Sequence, residues 1–313
     1  MTETAENKVL EAAPAGDVMR PRGSGLSRFV LLLGRDSFAL GAFVGLVVVI
    51  GLAVFGAPAL QQQASGINLR ARNSAPFSLD KGLLYVLGAD ILGRSMVARL
   101  IVASRTTLAI TFSAVTFSLC AGTSLGLLAG YYSGWTGTVI MRITDTVMSF
   151  PSLLMAVIVL YMLEPNAFNV VLVLAITRMP VYIRVTRAEV LEIRERTFVE
   201  AAQAAGASDM RLLLVHILPV VLPTLLTVAT LDFANVMLNE SALSFLGIGV
   251  QPPDVTWGLM VAEGRNYLGS AWWLAAFPGL AIMFTTLAAN LLSNWMRFVT
   301  DPILRTRLES RSP

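Results

Sequence analysis

Long apolar runs without charge alternate with shorter polar segments along most of this chain, and arginines gather in the polar segments. A helix needs about 20 apolar residues to cross a hydrocarbon core. Phe38 to Ala57 is such a run. Thr106 to Met141 is also charge-free, but Tyr131 to Gly137 reads as a turn, so one helix is predicted at 106–130 and the next from 138 to Leu163. Glu164-Pro165-Asn166 ends that third helix. A fourth follows from Ala167 to Arg187, a fifth from Leu212 to Leu231 and a sixth from Ala271 to Met296. The pattern predicts an all-α membrane protein with about six transmembrane helices.

Composition agrees with that reading. Only 14% of the 313 residues are charged and the mean hydropathy is +0.69, whereas soluble domains carry about 25% charged residues. The net charge of +3 arises from arginines lying between apolar runs, which suits membrane topology and not a nucleic-acid surface. Cationic residues favour the cytoplasmic side. With the N-terminus inside, fifteen lysines and arginines fall on inner segments and seven on outer ones (Arg70, Arg72, Lys81, Arg94, Arg99, Arg105 and Arg265), with Arg178 in the membrane. Both termini are therefore expected in the cytoplasm, although the first outer loop is itself basic. Residues 1–36 are read as a cytoplasmic tail and not a cleavable signal, because the polar stretch is too long. Within that tail 1–19 read as disordered, and Leu26 to Gly34 as an interfacial segment. The tail 297–313 closes the chain on the same side.

Gly122, Gly126 and Gly130 recur on one helix face, as do Gly41 and Gly45, a spacing that lets helix backbones approach closely in lipid. The single cysteine, Cys120, excludes an internal disulfide and reads as a small buried hydrophobe. His216 is the only histidine, so no histidine-based metal site is expected. It reads as an interfacial residue orienting the fifth helix or as a proton-sensitive element. Arg178 reads as snorkelling to the inner interface or as an intramembrane functional charge. Arg142 with Asp145, and Glu192 with Arg196, have the spacing of helix-surface ion pairs. Glu240 reads either as a loop anchor or as part of a translocation mouth.

The segment Glu200-Ala201-Ala202, with Gly206 and Asp209 after it and Leu218-Pro219 closing the stretch, predicts a short alanine-rich helix stopped by glycine. This stretch resembles the "EAA" loop of ABC importer permeases. Leu87 to Arg94, containing Asp90, Gly93 and Arg94, is similar to the "GTDxLGRD" segment of dipeptide and oligopeptide permeases, with Ala89 and Ser95 as departures. Glu240-Ser241 through Pro253, then Trp257-Gly258 and Ala262 to Arg265, resembles an outer loop of the same subfamily. Arg142 to Asp145, Phe150-Pro151, Asp301-Pro302 and Leu304-Arg305 extend the likeness over residues 85–305.

The resemblance implies a type I ABC importer transmembrane subunit of the C type, with a first helix and outer loop over 37–104 and a five-helix permease core over 105–296. It implies that Glu200, Ala201, Ala202, Gly206, Asp209, Leu218 and Pro219 couple the chain to separate ATPase subunits, and that Asp90, Gly93, Arg94, Glu240 and Ser241 belong to the outer loops. Further implied partners are a second homologous permease, an extracytoplasmic solute-binding protein and a short-peptide substrate. Nickel, glutathione and haem importers share these motifs. The chain has no Gly-x-x-x-x-Gly-Lys loop, so ATP and Mg are expected on partner subunits and no cofactor on this chain. A self-sufficient secondary transporter would need internal repeats and mid-membrane ionisable residues. A membrane enzyme would need a catalytic or metal cluster that the sequence lacks.

Overall fold

The computed structural model describes residues 32–34 and 36–300. The expectations for residues 1–31, and the family likeness at Asp301-Pro302 and Leu304-Arg305, lie outside the described residues. The chain divides into one unit ending at Ser37 and a second beginning at Phe38. In the first, residues 32–34 are helical; the second holds the bundle.

Among the described residues, five helices are long and apolar enough to cross a membrane: α1 (Ser37–Ser65), α2 (Met96–Tyr131), α5 (Ala167–Ile193), α7 (Asp209–Phe245) and a fifth, Trp273–Arg297. That last span lies in α9 (Trp273–Thr300). Between α2 and α5 lie α3 (Trp135–Met148) and α4 (Ser152–Met162), bent by 86° and forming a sixth span if taken together. The short helices α6 (Thr197–Ala204) and α8 (Trp257–Gly264) complete the set. Side-chain caps start three helices: Ser95 accepts from the Ala98 amide at 3.2 Å, Asn166 from Asn169 at 2.8 Å and Thr256 from Leu259 at 3.2 Å.

Several helices differ from the hydropathy reading. The expected third span is broken where Pro151, lacking an amide hydrogen, adopts φ −57° and ψ 123° and cannot continue a helix. α2 begins at Met96 instead of 106, because Arg99 is paired and buried. α5 continues past Arg187 to Ile193. α7 runs to Phe245 and so takes in Asp232 and Glu240, both buried. Cys120 is exposed on α2, contrary to the buried reading.

The glycine ladder sets the central contact. A Cβ on Gly122 would stand 2.6 Å from the Tyr182 Cβ, on Gly126 2.5 Å from the Thr186 Cβ, and on Gly130 2.7 Å from the Val190 Cβ. α2 and α5 therefore meet at close range over this stretch, and the contact admits only hydrogen at these positions. Gly41 and Gly45 have nothing within 4 Å of such a Cβ, so the pattern in α1 packs against no part of this bundle. Phe38, Val44, Val47, Val48, Ile50 and Phe55 leave α1 with an exposed apolar flank, suited to lipid or to another membrane subunit.

Apolar clusters sit at opposite ends of α2. Leu127 joins Tyr182, Val190, Val199, Leu212 and Ile217 near α6. Met96 and Ala103 join Met237, Trp257, Met260 and Trp273 near α8.

Candidate functional site

α6 is held to the bundle by one large side chain. Val199 is buried in the cluster beside Val190, Ile193 and Leu212, while Ala202 packs partly against it. Phe198, Glu200, Ala201, Gln203 and Ala204 remain exposed, giving a small-residue face with one aromatic ring and one carboxylate. The helix ends as the glycine spacing predicts. Gly206 takes φ +85°, its amide donates to Gln203 O at 2.9 Å, and the Ala207 amide donates to Ala202 O at 3.1 Å. Two terminal carbonyls are thereby satisfied by a left-handed cap. The return path enters α7 through a π-helical turn, Leu212–Ile217, followed by Leu218 and Pro219. Proline supplies no amide to the preceding turn, and the widened helix falls where that donor is missing. His216 is half-buried in this turn.

Both flanks of α6 are tied to the end of α2. Asp209 accepts from the Tyr131 hydroxyl at 2.8 Å and from the Tyr132 hydroxyl at 3.0 Å. The rings meet edge to face, 5.1 Å between centroids, so each hydroxyl reaches a different carboxylate oxygen. The bond to Asp209 raises the Tyr132 phenol above its ordinary pKa, with smaller contributions from desolvation and the carboxylate charge, so it stays a donor. Ahead of α6, Arg194 donates to Gly130 O at 3.1 Å and to the Ser133 hydroxyl. Glu192 and Arg196 form the surface pair expected of their spacing, at 2.6 Å. Asp145, however, pairs with Arg184 at 2.6 Å and not with Arg142, because α3 packs across α5.

At the α8 end, Asp90 is the centre of a turn and not an exposed group. Its Oδ1 accepts from the amides of Leu92 and Arg94, and its Oδ2 from Arg94 Nε at 2.5 Å and Arg99 Nη1 at 2.8 Å. Arg99 also reaches Glu263 at 2.8 Å, joining this turn to α8. Gly93 is required by φ +76° and by the Asn68 carbonyl, which a Cβ would strike. Glu240 is fully buried, accepting from Ser244 at 2.8 Å and Ser241 at 3.3 Å. Asp90, Gly93 and Arg94 thus build one turn that Arg99 joins to α8. Glu240 and Ser241, by contrast, lie within the last turns of α7 and not in a loop, bonded to each other and, through Glu240, to Ser244 of the same helix. Both groups are distant from α6.

Mid-bundle, Arg178 donates through Nε to Asp232 Oδ1 at 2.6 Å, and the Tyr182 hydroxyl donates to Oδ2 at 3.1 Å. The snorkelling reading of Arg178 is replaced by this pair, which joins α5 to α7. Sequence reasoning missed Asp232 by ending the fifth span at Leu231. It placed Tyr131 and Tyr132 in a turn, Arg99 and Arg194 in the charge asymmetry and Glu263 in the outer-loop likeness, but gave none of them a partner. Tyr131, Tyr132 and Arg194 pair across more than 60 positions, and Arg99 meets Glu263 from another helix. Among the described residues no group of three or more His, Cys, Asp or Glu could hold a metal ion.

Residues 122–306 match the profile of the binding-protein-dependent transport system inner membrane component family, which takes in α6, its flanks, α7 and α8. The chain belongs to this family. As a whole the permease is 38% identical over 295 residues to the di/tripeptide transport system permease protein of Pseudomonas aeruginosa, covering 94% of this chain and 97% of that one. It is 40% identical over 185 residues to the glutathione transport system permease protein of Pectobacterium atrosepticum, covering 59% and 62%. A chain of the MetNI methionine ABC transporter, solved in inward facing conformations, superposes with a TM-score of 0.53 at 19% identity, covering 67% of this permease and 97% of that chain. That likeness shows the fold: an all-α, multi-pass transmembrane subunit of the type I ABC importer kind.

Proposed function

We propose that this permease carries short peptides inward across the cytoplasmic membrane, driven by separate ATP-binding subunits on which α6 docks. The carrying observation is α6 itself: an eight-residue helix pegged by Val199, with Phe198, Glu200, Ala201 and Ala204 exposed and a glycine stop behind it. Small residues leave its backbone open to a cleft, Phe198 offers an apolar anchor and Glu200 a single charge for a complementary cation. ATP and Mg belong to the docked subunits. In this reading both termini and α6 are cytoplasmic, and the α8 end faces the solute-binding protein that delivers substrate. A second, homologous permease covers the open flank of α1 and completes the path.

Peptide as substrate is supported by the di/tripeptide permease relative, which matches over nearly its full length. Glutathione, carried by the system of a second relative, is itself a small peptide and falls within the same class. The Arg178–Asp232 pair does not favour an ion-driven carrier, since its opposite charges are joined and the carboxylate is further bound by Tyr182.

The docking reading is tested by Glu200→Lys and Phe198→Asp in the assembled transporter. Each change leaves Val199 and the spans untouched. Glu200→Lys sets like charges together, and Phe198→Asp replaces the apolar anchor with a carboxylate that docking would desolvate. Each costs several kcal/mol, so the ATP-binding subunits should be retained at least about a hundredfold less tightly. Retention and uptake at the unmodified level by both variants would refute docking through α6.

A further inference from the structure

An eight-residue helix with one buried peg cannot by itself move a bundle. A push on its exposed face would be absorbed by its connectors, residues 194–196 on one side and 205–208 on the other, unless both were fixed. Both are fixed, and to neighbouring residues of one four-residue turn. Before α6, Arg194 binds Gly130 O and the Ser133 hydroxyl; after it, Asp209 binds the hydroxyls of Tyr131 and Tyr132. Residues 130–133 form the last turn of α2 and the bend into α3.

We propose that Tyr131, Tyr132 and Arg194 are positioning residues that rivet the docking helix to the end of α2, so that its movement drives α2 and α5 as well as α7. This rests on the reading that α6 is the docking helix.

The load path continues without slack beyond the rivets. Gly130 abuts Val190 with no room for a Cβ, so displacement of the α2 end is passed directly to α5. The Tyr132 carbonyl accepts from the Gly137 amide at 3.1 Å, which ties the same turn to the start of α3. Both oxygens of Asp209 are occupied, and each tyrosine ring fixes the tilt of the other. On the α7 side the path runs from Asp209 through the π-helical stretch Leu212–Ile217, whose Leu212, Leu213 and Ile217 are buried beside Val190 and Val199, to Pro219.

The experiment uses the complete transporter in proteoliposomes, with solute-binding protein and a dipeptide, and reads uptake and ATP hydrolysis together. Tyr131→Phe/Tyr132→Phe removes both donors and keeps both rings. It should retain the ATP-binding subunits and hydrolyse ATP, yet transport at least tenfold fewer peptides per ATP. Arg194→Gln, which leaves both tyrosines in place, should show the same split and replaces the double variant if that one fails to assemble. A purely structural role would lower uptake and hydrolysis in proportion. An unchanged number of peptides per ATP in the assembled variants therefore overturns the rivet. Glu200→Lys separates the two readings: if it keeps its ATP-binding subunits, docking through α6 fails whatever the tyrosines do.

Discussion

Arg178 and Asp232 illustrate what a single charge costs in this bundle and how it is offset. A guanidinium or carboxylate alone at mid-span would be expensive. Here each faces the other, and Tyr182 occupies the second carboxylate oxygen. Removing one partner of a buried pair strands the other, at about 3–5 kcal/mol, whereas removing both charges together costs far less. Asp232→Asn and Arg178→Gln should each lower the thermal unfolding midpoint of the assembled transporter, and the double variant should recover more than half of the loss. A double variant showing simply the sum of the two single losses would mean that the pair does not act as a unit. Asp90 differs from Asp232 in its surroundings. It draws on two backbone amides as well as two arginines, so Arg94 and Arg99 lie where they do for the architecture of that turn. That accounts for part of the basic character of the first loop, which the charge asymmetry alone does not explain.

At the scale of helices, the α2–α5 contact is a tight seam that a single substitution can test. Gly126→Leu places a branched side chain where even a Cβ meets Thr186 at 2.5 Å. Overpacking of this kind costs about 1–3 kcal/mol, and more where backbone is the obstacle. The Gly126→Leu chain should yield several-fold less assembled transporter, read by size-exclusion chromatography. Gly45→Ala, which meets nothing within 4 Å in this chain, should leave the chain's own fold unaltered. Equal yields from Gly126→Leu and the unmodified chain would contradict the seam. This seam was legible in the sequence because glycines four apart share a helix face. The stop of α6 at Gly206 was legible for a similar local reason, a residue suited to positive φ behind an alanine run. The longer extents of α2 and α7 were not. A hydropathy reading halts at the first charge, and nothing local reveals that Arg99 meets Glu263 or that Asp232 meets Arg178 across 54 positions. The bend at Pro151 had a visible cause, but whether proline kinks a helix or ends it depends on packing around it. The tyrosine contacts to Asp209 span 77 and 78 positions and left no pattern to read.

For the whole molecule, orientation decides whether the proposed function is physically possible. α6 can meet an ATP-binding subunit only from the cytoplasm, and the α8 end can meet a binding protein only from outside. With the N-terminus inside, fifteen cationic residues fall on the first side and seven on the second, the asymmetry expected of that orientation. Two exposed positions report on the two sides: Gln203 on α6, and Asp254 in the loop before α8. The native Cys120 is exposed on α2 and has to be replaced first, by alanine, so that labelling reports only the introduced thiols. In intact cells a membrane-impermeant maleimide should then modify Asp254→Cys and spare Gln203→Cys, and inside-out vesicles should give the reverse. Neither substitution alters a residue of the rivet or of the ion pairs, so uptake should persist in the unlabelled variants. Attaching the label to Gln203→Cys in inside-out vesicles should in addition block docking, because the position lies on the exposed face of α6. Labelling of Gln203→Cys from outside intact cells would invert the molecule and remove the basis for coupling through α6 altogether.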